Sequence, residues 1–311
     1  MAREIVIGTR DSALALWQTN WVAEQLKRLN PEYTFRIVSM KTQGDKILDV
    51  ALAKIGDKGL FTKELEVAML EKEIDLAVHS MKDLPTVLPE GLVIGAICER
   101  FDPRDVLVSR NGMTLAEMPQ GAKIGTSSLR RCAQLLNFRP DFQLVSLRGN
   151  LNTRMAKLDR ENMDGIILAA AGIERLGWGD RITERISFEV SLPAVGQGSI
   201  GVELRGDDEE VYSVVHKLNH TASEISIRAE RALLKKLEGG CQIPIGALGR
   251  VEGDCLILQG LVAGLDGKEL IRDQIAGHVD KPEALGQELA DKLIAMGADK
   301  ILQNVRQEYN A

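Results

Sequence analysis

The chain has 311 residues, 44% hydrophobic and 27% charged, a globular composition about two domain lengths long that excludes a polar linker or a coiled coil. Thirty-nine basic against 45 acidic residues give a formal net charge of -6, which disfavours non-specific binding to nucleic acid or to an anionic membrane but allows a local basic pocket. Four scattered cysteines, Cys98, Cys132, Cys241 and Cys255, show no Cys-x-x-Cys and no neighbouring histidine pair, so neither a disulfide framework nor a structural zinc site is indicated and a reducing cytosol fits best.

Met1-Ala2-Arg3-Glu4 runs straight into the strand-like Ile5–Gly8 without the apolar core of a signal peptide. The most apolar run, Gly165 to Ile173, is too short to span a bilayer, and a cytoplasmic location is expected. Ser12–Leu29 has a helical period in Leu16, Trp17, Val22, Leu26 and Leu29 behind an Asp11 or Ser12 cap. Phe35–Met40 is the next predicted strand, Gly59–Glu71 a helix, and Ile74–His79 and Leu92–Ile97 two further strands. That alternation predicts parallel β–α–β units and a first α/β lobe.

After Asp102-Pro103-Arg104 the alternation restarts: strand Lys123–Gly125, helix Ser128–Asn137, strand Phe142–Leu147, helix Asn150–Leu158, strand Gly165–Ala169. This predicts a second lobe. The aperiodic stretch from Ser191 to Gly198 then leads to the strand-like Ser199–Leu204, as a crossing between lobes would. Beyond His216 come a long helix, Ala222–Leu237, a Gly-Gly-Cys loop, and the runs Ile245–Val251, Cys255–Val262 and Glu269–Gly277, spaced too closely for helical crossovers and therefore antiparallel. Helices at Pro282–Ala295 and Ala298–Gln307 complete a third, α+β domain. The expected fold is α/β, with lobe 1 in residues 1–98 plus 199–216, lobe 2 in 104–192 and the α+β domain in 217–311.

Gly196, Gly198 and Gly201 spell a literal G-x-G-x-x-G, but a Pro-containing loop precedes it and a strand follows, the wrong context for a dinucleotide site. A more informative pattern is arginine beside small residues at strand ends: Gly8-Thr9-Arg10-Asp11-Ser12, Gly125 to Arg131, Leu147-Arg148-Gly149-Asn150, Asn152-Thr153-Arg154 and Gly172-Ile173-Glu174-Arg175. In an open α/β lobe these ends converge on the ligand crevice, and guanidinium groups grip carboxylates in bidentate fashion. A ligand with many carboxylates or phosphates is implied, against the plain alternative of arginines on solvated helix faces.

His79-Ser80-Met81-Lys82-Asp83 ends a strand just before Leu84-Pro85, which puts Asp83 either at the place of a catalytic acid or base or in an ordinary capping turn. His79 alone reads as structural. Glu238-Gly239-Gly240-Cys241-Gln242-Ile243-Pro244 sets one thiol in a glycine-rich loop, where a covalent link to a bulky group is sterically allowed, although a lone loop cysteine is usually unmodified. Cys98 and Cys255 read as core thiols and Cys132 as a helix residue. The residues alone also leave open a cytosolic anion-binding protein, for which Cys241 has no use, and a phosphoryl-transfer enzyme using Thr126-Ser127-Ser128, which lacks a P-loop and a carboxylate pair for magnesium.

Taken in order, these segments resemble the porphobilinogen deaminase (hydroxymethylbilane synthase) family over nearly the whole chain. The landmarks are Gly8-Thr9-Arg10 with Ser12 and Gln18, Thr42-Gln43-Gly44-Asp45, Lys54 through Lys58-Gly59-Leu60-Phe61, His79–Pro85, Gly125–Arg131, Arg148-Gly149-Asn150, Pro193–Gly198 and Glu238–Pro244. Asp57, Ser199 and Met155 depart from the usual family residues. The resemblance implies two periplasmic-binding-protein-like (type II) lobes and a C-terminal α+β domain with a small antiparallel sheet. It further implies that Cys241 carries a dipyrromethane cofactor through a thioether. Onto this primer four porphobilinogen molecules are condensed head to tail with loss of ammonia, and hydrolysis releases linear hydroxymethylbilane for tetrapyrrole biosynthesis.

By the same resemblance Asp83 works on the pyrrole nitrogens and stabilises the cationic azafulvene. Arg10, Ser12, Lys82, Arg130, Arg131, Arg148, Arg154 and Arg175 hold carboxylates of cofactor and substrate, with Ser128 and Gln197 assisting. Phe61 packs on a pyrrole face, and Lys54, Gly56 and Lys58 belong to a lid. The expected partner is the small molecule porphobilinogen, with no metal, nucleic acid or membrane; no exposed heptad suggests assembly, so a monomer is expected.

Overall fold

The computed structural model describes residues 3–46, 59–237 and 243–310. The expected lid residues Lys54, Gly56 and Lys58 and the expected cofactor cysteine Cys241 lie outside the described residues.

Strand β1 (Glu4–Arg10) buries Ile5 and Ile7 and leads into helix α1 (Ala13–Leu29). The helix starts there because the Ser12 hydroxyl accepts the Ala15 N–H at 3.3 Å, and it turns Val22 and Leu26 onto the sheet. Strand β2 (Thr34–Met40), helices α2 (Gln43–Lys46) and α3 (Lys63–Leu70), and strands β3 (Leu76–Ser80) and β4 (Leu92–Ile97) follow.

The chain then crosses over and builds β5 (Asp105–Ser109), β6 (Lys123–Gly125), α4 (Leu129–Phe138), β7 (Gln143–Val145), α5 (Leu151–Arg160), β8 (Gly165–Ala169), α6 (Ala170–Arg175) and β9 (Glu184–Arg185). It returns as β10 (Ile200–Arg205) and α7 (Glu209–His216).

The two lobes repeat one strand order. The first sheet runs β2-β1-β3-β10-β4 and the second β7-β6-β8-β5-β9. In the first, β1 pairs parallel with β2 and β3 while β10 lies antiparallel to both β3 and β4. In the second, β6 pairs parallel with β7 and β8 while β5 lies antiparallel to β8 and β9. Each lobe thus takes its antiparallel strand from a chain crossing, in the two-lobed, periplasmic-binding-protein-like arrangement expected.

Strand β4 has β10 and not β3 as its sheet neighbour, so one antiparallel strand is inserted between the expected parallel strands. Apolar runs identify strands; their partners depend on the crossings.

The third unit has α8 (Thr221–Lys236), the antiparallel sheet β11 (Ile245–Glu252), β12 (Cys255–Ala263) and β13 (Leu270–His278), then α9 (Pro282–Ala295) and α10 (Ala298–Asn310). Leu233 of α8 and Leu289 and Leu293 of α9 close over Leu258 and Val262, and each such buried side chain contributes about 1.5–3 kcal/mol relative to exposure. Cys98 is a buried thiol that burial pushes up to about 12, and Cys132 lies within α4. Cys255, expected in the core, is half-buried because it opens β12 at the hairpin. Among the described residues no helix is long and apolar enough to cross a membrane.

Candidate active site

The first lobe presents Asp83 from a stiff turn. Past Ser80 the chain makes one 3-10 turn, Met81–Asp83, and the Leu84 N–H donates to the Met81 carbonyl at 3.3 Å. The Met81 N–H is taken by the Ser199 carbonyl at 3.0 Å, and the Met81 side chain is buried with Leu84, Ile97 and Ile227. The crossing presses on the same turn through Gly196, at φ +72°, where a Cβ would stand 2.9 Å from the Met81 Cβ. Half-buried Asp83 lines a pocket with Arg10, Ser12, Gln18, Phe61 and Ser80. Gln18 Nε2 donates to Ser80 Oγ at 2.9 Å, and the Arg10 guanidinium lies 4.3 Å from the centre of the Phe61 ring.

Beside this wall is a cluster of positive charge, Lys82, Arg131 and Arg154 each acting on one another. Burial pushes the Lys82 ammonium down to about 8; Asp83 acts against that fall, while Arg131 and Arg154 add to it. Burial, then the charges of Arg131 and Arg148, push Arg154 down to about 10, and its Nε donates to the Gly149 carbonyl at 2.8 Å. Burial also lowers Arg148, whose buried Nη1 has no hydrogen-bond partner among the described residues. Arg175 is pushed down to about 10 by burial and donates from Nη2 to the Gly198 carbonyl at 2.8 Å. Its guanidinium lies 4.9 Å from the Phe101 ring and 5.9 Å from that of Trp17, and its buried Nε has no hydrogen-bond partner among the described residues. Buried donors without acceptors cost about 1–3 kcal/mol each, and an acceptor at this site would remove that cost.

Three of the expected binding residues are already engaged. Asp105, fully buried at the start of β5, receives Arg130 Nη1 at 2.7 Å and Arg131 Nη2 at 2.7 Å. Ser191 Oγ donates to it at 2.8 Å and Gln197 Nε2 at 3.0 Å. Arg130 also donates to the Leu192 carbonyl at 2.7 Å, and Arg131 to the Ile167 carbonyl at 3.0 Å. Burial opposes ionisation of Asp105, but the charges of Arg130 and Arg131 prevail and hold its carboxyl well below the usual range. Gln197 donates further to the Pro103 carbonyl at 2.7 Å, so Asp105 ties α4 to both crossings. Ser128 N-caps α4 without spending its hydroxyl on a capping bond, in contrast to Asn150, which accepts the Thr153 N–H at 2.9 Å at the start of α5.

The structure therefore brings Arg10, Ser12, Phe61 and Asp83 to one pocket, and Lys82, Arg131, Arg148 and Arg154 within electrostatic reach of one another. Arg130, Arg131 and Gln197 are all buried around Asp105, at 4%, 5% and 1% exposure. Asp105, Ser191 and the Trp17–Phe101 platform under Arg175 were not found from sequence; an acid opening an apolar strand-like run, Asp105-Val106-Leu107-Val108, is the signal that marks the first. A larger depression elsewhere is lined by Arg3, Asp75, Arg205 and Asp208, whose charges pair among themselves. No group of three or more metal-ligating side chains occurs among the described residues.

Residues 5–213 match the family model described as porphobilinogen deaminase, dipyromethane cofactor binding domain, and residues 225–295 match the porphobilinogen deaminase C-terminal domain. The porphobilinogen deaminase of Desulforamulus reducens is 63% identical over 98% of this chain and 99% of its own length, and that of Carboxydothermus hydrogenoformans 60% identical over 100% of both. Among solved structures, the periplasmic aliphatic sulphonate binding protein SsuA from Escherichia coli is similar at a TM-score of 0.41 and 17% identity, over 76% of this chain and 71% of its own. At that level the likeness carries no inference about ligand or activity.

Proposed function

The chain belongs to the porphobilinogen deaminase family, and from that premise we propose how its residues divide the work of condensing four porphobilinogen molecules onto a dipyrromethane primer and releasing hydroxymethylbilane. The observation that carries the proposal is the cluster of cations beside Asp83, with buried donors on Arg148 Nη1 and Arg175 Nε that have no partner among the described residues. A polycarboxylate ligand supplies the acceptors they lack, so the residues present fit the dipyrromethane group.

When bound, that group would supply the nucleophilic pyrrole carbon to which the first unit is added. Lys82, Arg131, Arg148 and Arg154 bind acetate and propionate side chains, as do Arg10, Ser12 and Arg175, with Ser128 assisting. Guanidinium forks fix each carboxylate in orientation as well as position. Arg130 and Gln197 serve through Asp105, which fixes the start of α4 and with it Arg131.

Phe61, under Arg10, offers a flat apolar face to a pyrrole ring. Asp83 accepts hydrogen bonds from pyrrole N–H groups and stabilises the cation that develops on the incoming substrate as ammonia departs. A carboxylate fixed on a rigid turn in a water-poor cleft does this without reorganising. Cys241 is the attachment point, and Lys54, Gly56 and Lys58 belong to a covering segment.

The proposed domains are 1–98 plus 199–216, 104–192, and 217–311, the last carrying Cys241. The scattered cysteines fit a reducing cytoplasm. A monomer is proposed, and sedimentation should give one species near 34.1 kDa.

Asp83→Asn tests the chemical assignment. It is expected to keep the fold and the bound primer and to lower turnover by about two orders of magnitude or more; turnover within twofold of wild type would remove Asp83 from the mechanism.

A further inference from the structure

Porphobilinogen condensation needs a carboxylate held in place, and the turn that carries Asp83 is gripped from outside its own lobe. Arg231, on α8 of the third unit, donates from Nη2 to the Pro85 carbonyl at 2.6 Å and from Nη1 to the Leu84 carbonyl at 3.3 Å. These are the two carbonyls that follow Asp83. Pro85 has no N–H, so its carbonyl is the backbone hydrogen-bonding group through which that residue can be held.

One turn back on the same face of α8, Ile227 is fully buried against Met81 and Leu84, the residues two before and one after Asp83. The helix itself is fixed: Glu230 accepts the N–H of Gly196 at 2.7 Å, the N–H of Gly249 at 2.7 Å and the Arg100 guanidinium. One helix face thus combines an apolar contact with a charged double donor on the aspartate turn.

We propose that Arg231 is a positioning residue for Asp83, through which the third unit sets the orientation of the catalytic carboxylate. The proposal rests on the deaminase reading above. A charge-assisted pair of hydrogen bonds fixes direction as well as distance. Misplacement of a reacting group by about 1 Å costs on the order of 100-fold in rate.

The test uses the primer-loaded enzyme as Arg231→Met and Arg231→Lys, each alone and combined with Asp83→Glu, with primer content measured by intact mass before rates are taken. Arg231→Met is expected to keep full primer content and a KM for porphobilinogen within about threefold, while kcat falls by about 10- to 100-fold. Arg231→Lys, whose ammonium reaches one carbonyl, is expected to recover most of that loss. On the Asp83→Glu background, where the carboxylate is already displaced, Arg231→Met is expected to lower kcat by less than about threefold, the coupling of two residues acting as a unit.

A kcat within twofold of wild type, or an equal fold loss on both backgrounds, overturns the proposal, since an arginine that only joins two units gives additive effects. Where Arg231→Met does not fold, the lysine variant decides: about a 3- to 10-fold loss in kcat at unchanged KM is expected, and unchanged kcat overturns it. A wild-type protein that neither carries primer nor consumes porphobilinogen removes the family reading instead, and that result is distinct from either.

Discussion

Asp105 explains how Arg130 and Arg131, two consecutive guanidinium groups, stay charged at 4% and 5% exposure. Its carboxyl is held below its ordinary value of about 4, so it contributes stability above that pH and loses it progressively as the pH falls further. Asp105→Asn leaves both arginines buried without a counter-charge and is expected to cost about 3–5 kcal/mol at neutral pH, while flattening acid destabilisation; urea unfolding between pH 3 and about 7 measures both. Lys82 behaves in the opposite sense: burial lowers its ammonium to about 8, so keeping it charged weakens the fold below that pH, and the penalty fades as the pH rises towards the ordinary lysine value. Primer acquisition by primer-free protein from porphobilinogen should therefore slow above about pH 8, and Lys82→Arg should move the decline upward; identical pH profiles would show that Lys82 binds no carboxylate. Asp83 and the arginines were legible because they stand at strand ends beside small residues. That Arg130 and Arg131 both turn inward was not legible, because the carboxylate that draws them together, Asp105, is distant in sequence.

Among the elements, long periodic segments were readable nearly to the residue, as with Leu92–Ile97 and Pro282–Ala295, whose bounds agree with expectation. Strand β5 and helix α7 were not: Asp105 makes β5 resemble the end of a charged crossing, and α7 is short and opens on Glu209-Glu210. The place of β10 was illegible for another reason, since which strands it separates depends on the return of the chain from the second lobe. That return also gives the glycines of the literal dinucleotide motif their use, because Gly196 is in the left-handed region and abuts Met81. Gly196→Ala adds backbone strain and a methyl group against the aspartate turn. It is expected to cost about 1–3 kcal/mol and to lower kcat more than it raises KM; wild-type melting and kcat would show that the crossing does not constrain the turn.

In the whole molecule, the first lobe, the crossing and the third unit meet at the Asp83 turn: lobe 1 supplies it, the crossing presses on it through Gly196, and α8 grips it through Ile227 and Arg231. Composition and alternation made this three-part plan legible; the convergence was not, because each partner comes from a segment distant in sequence. The central claim is that this frame serves a primer bound covalently through Cys241. Its most direct test is the intact mass of the denatured protein followed by peptide mapping around Cys241. The account predicts an excess of two linked pyrrole units on that peptide, present as purified or gained on incubation with porphobilinogen. A bare polypeptide mass that stays bare after that incubation would contradict it.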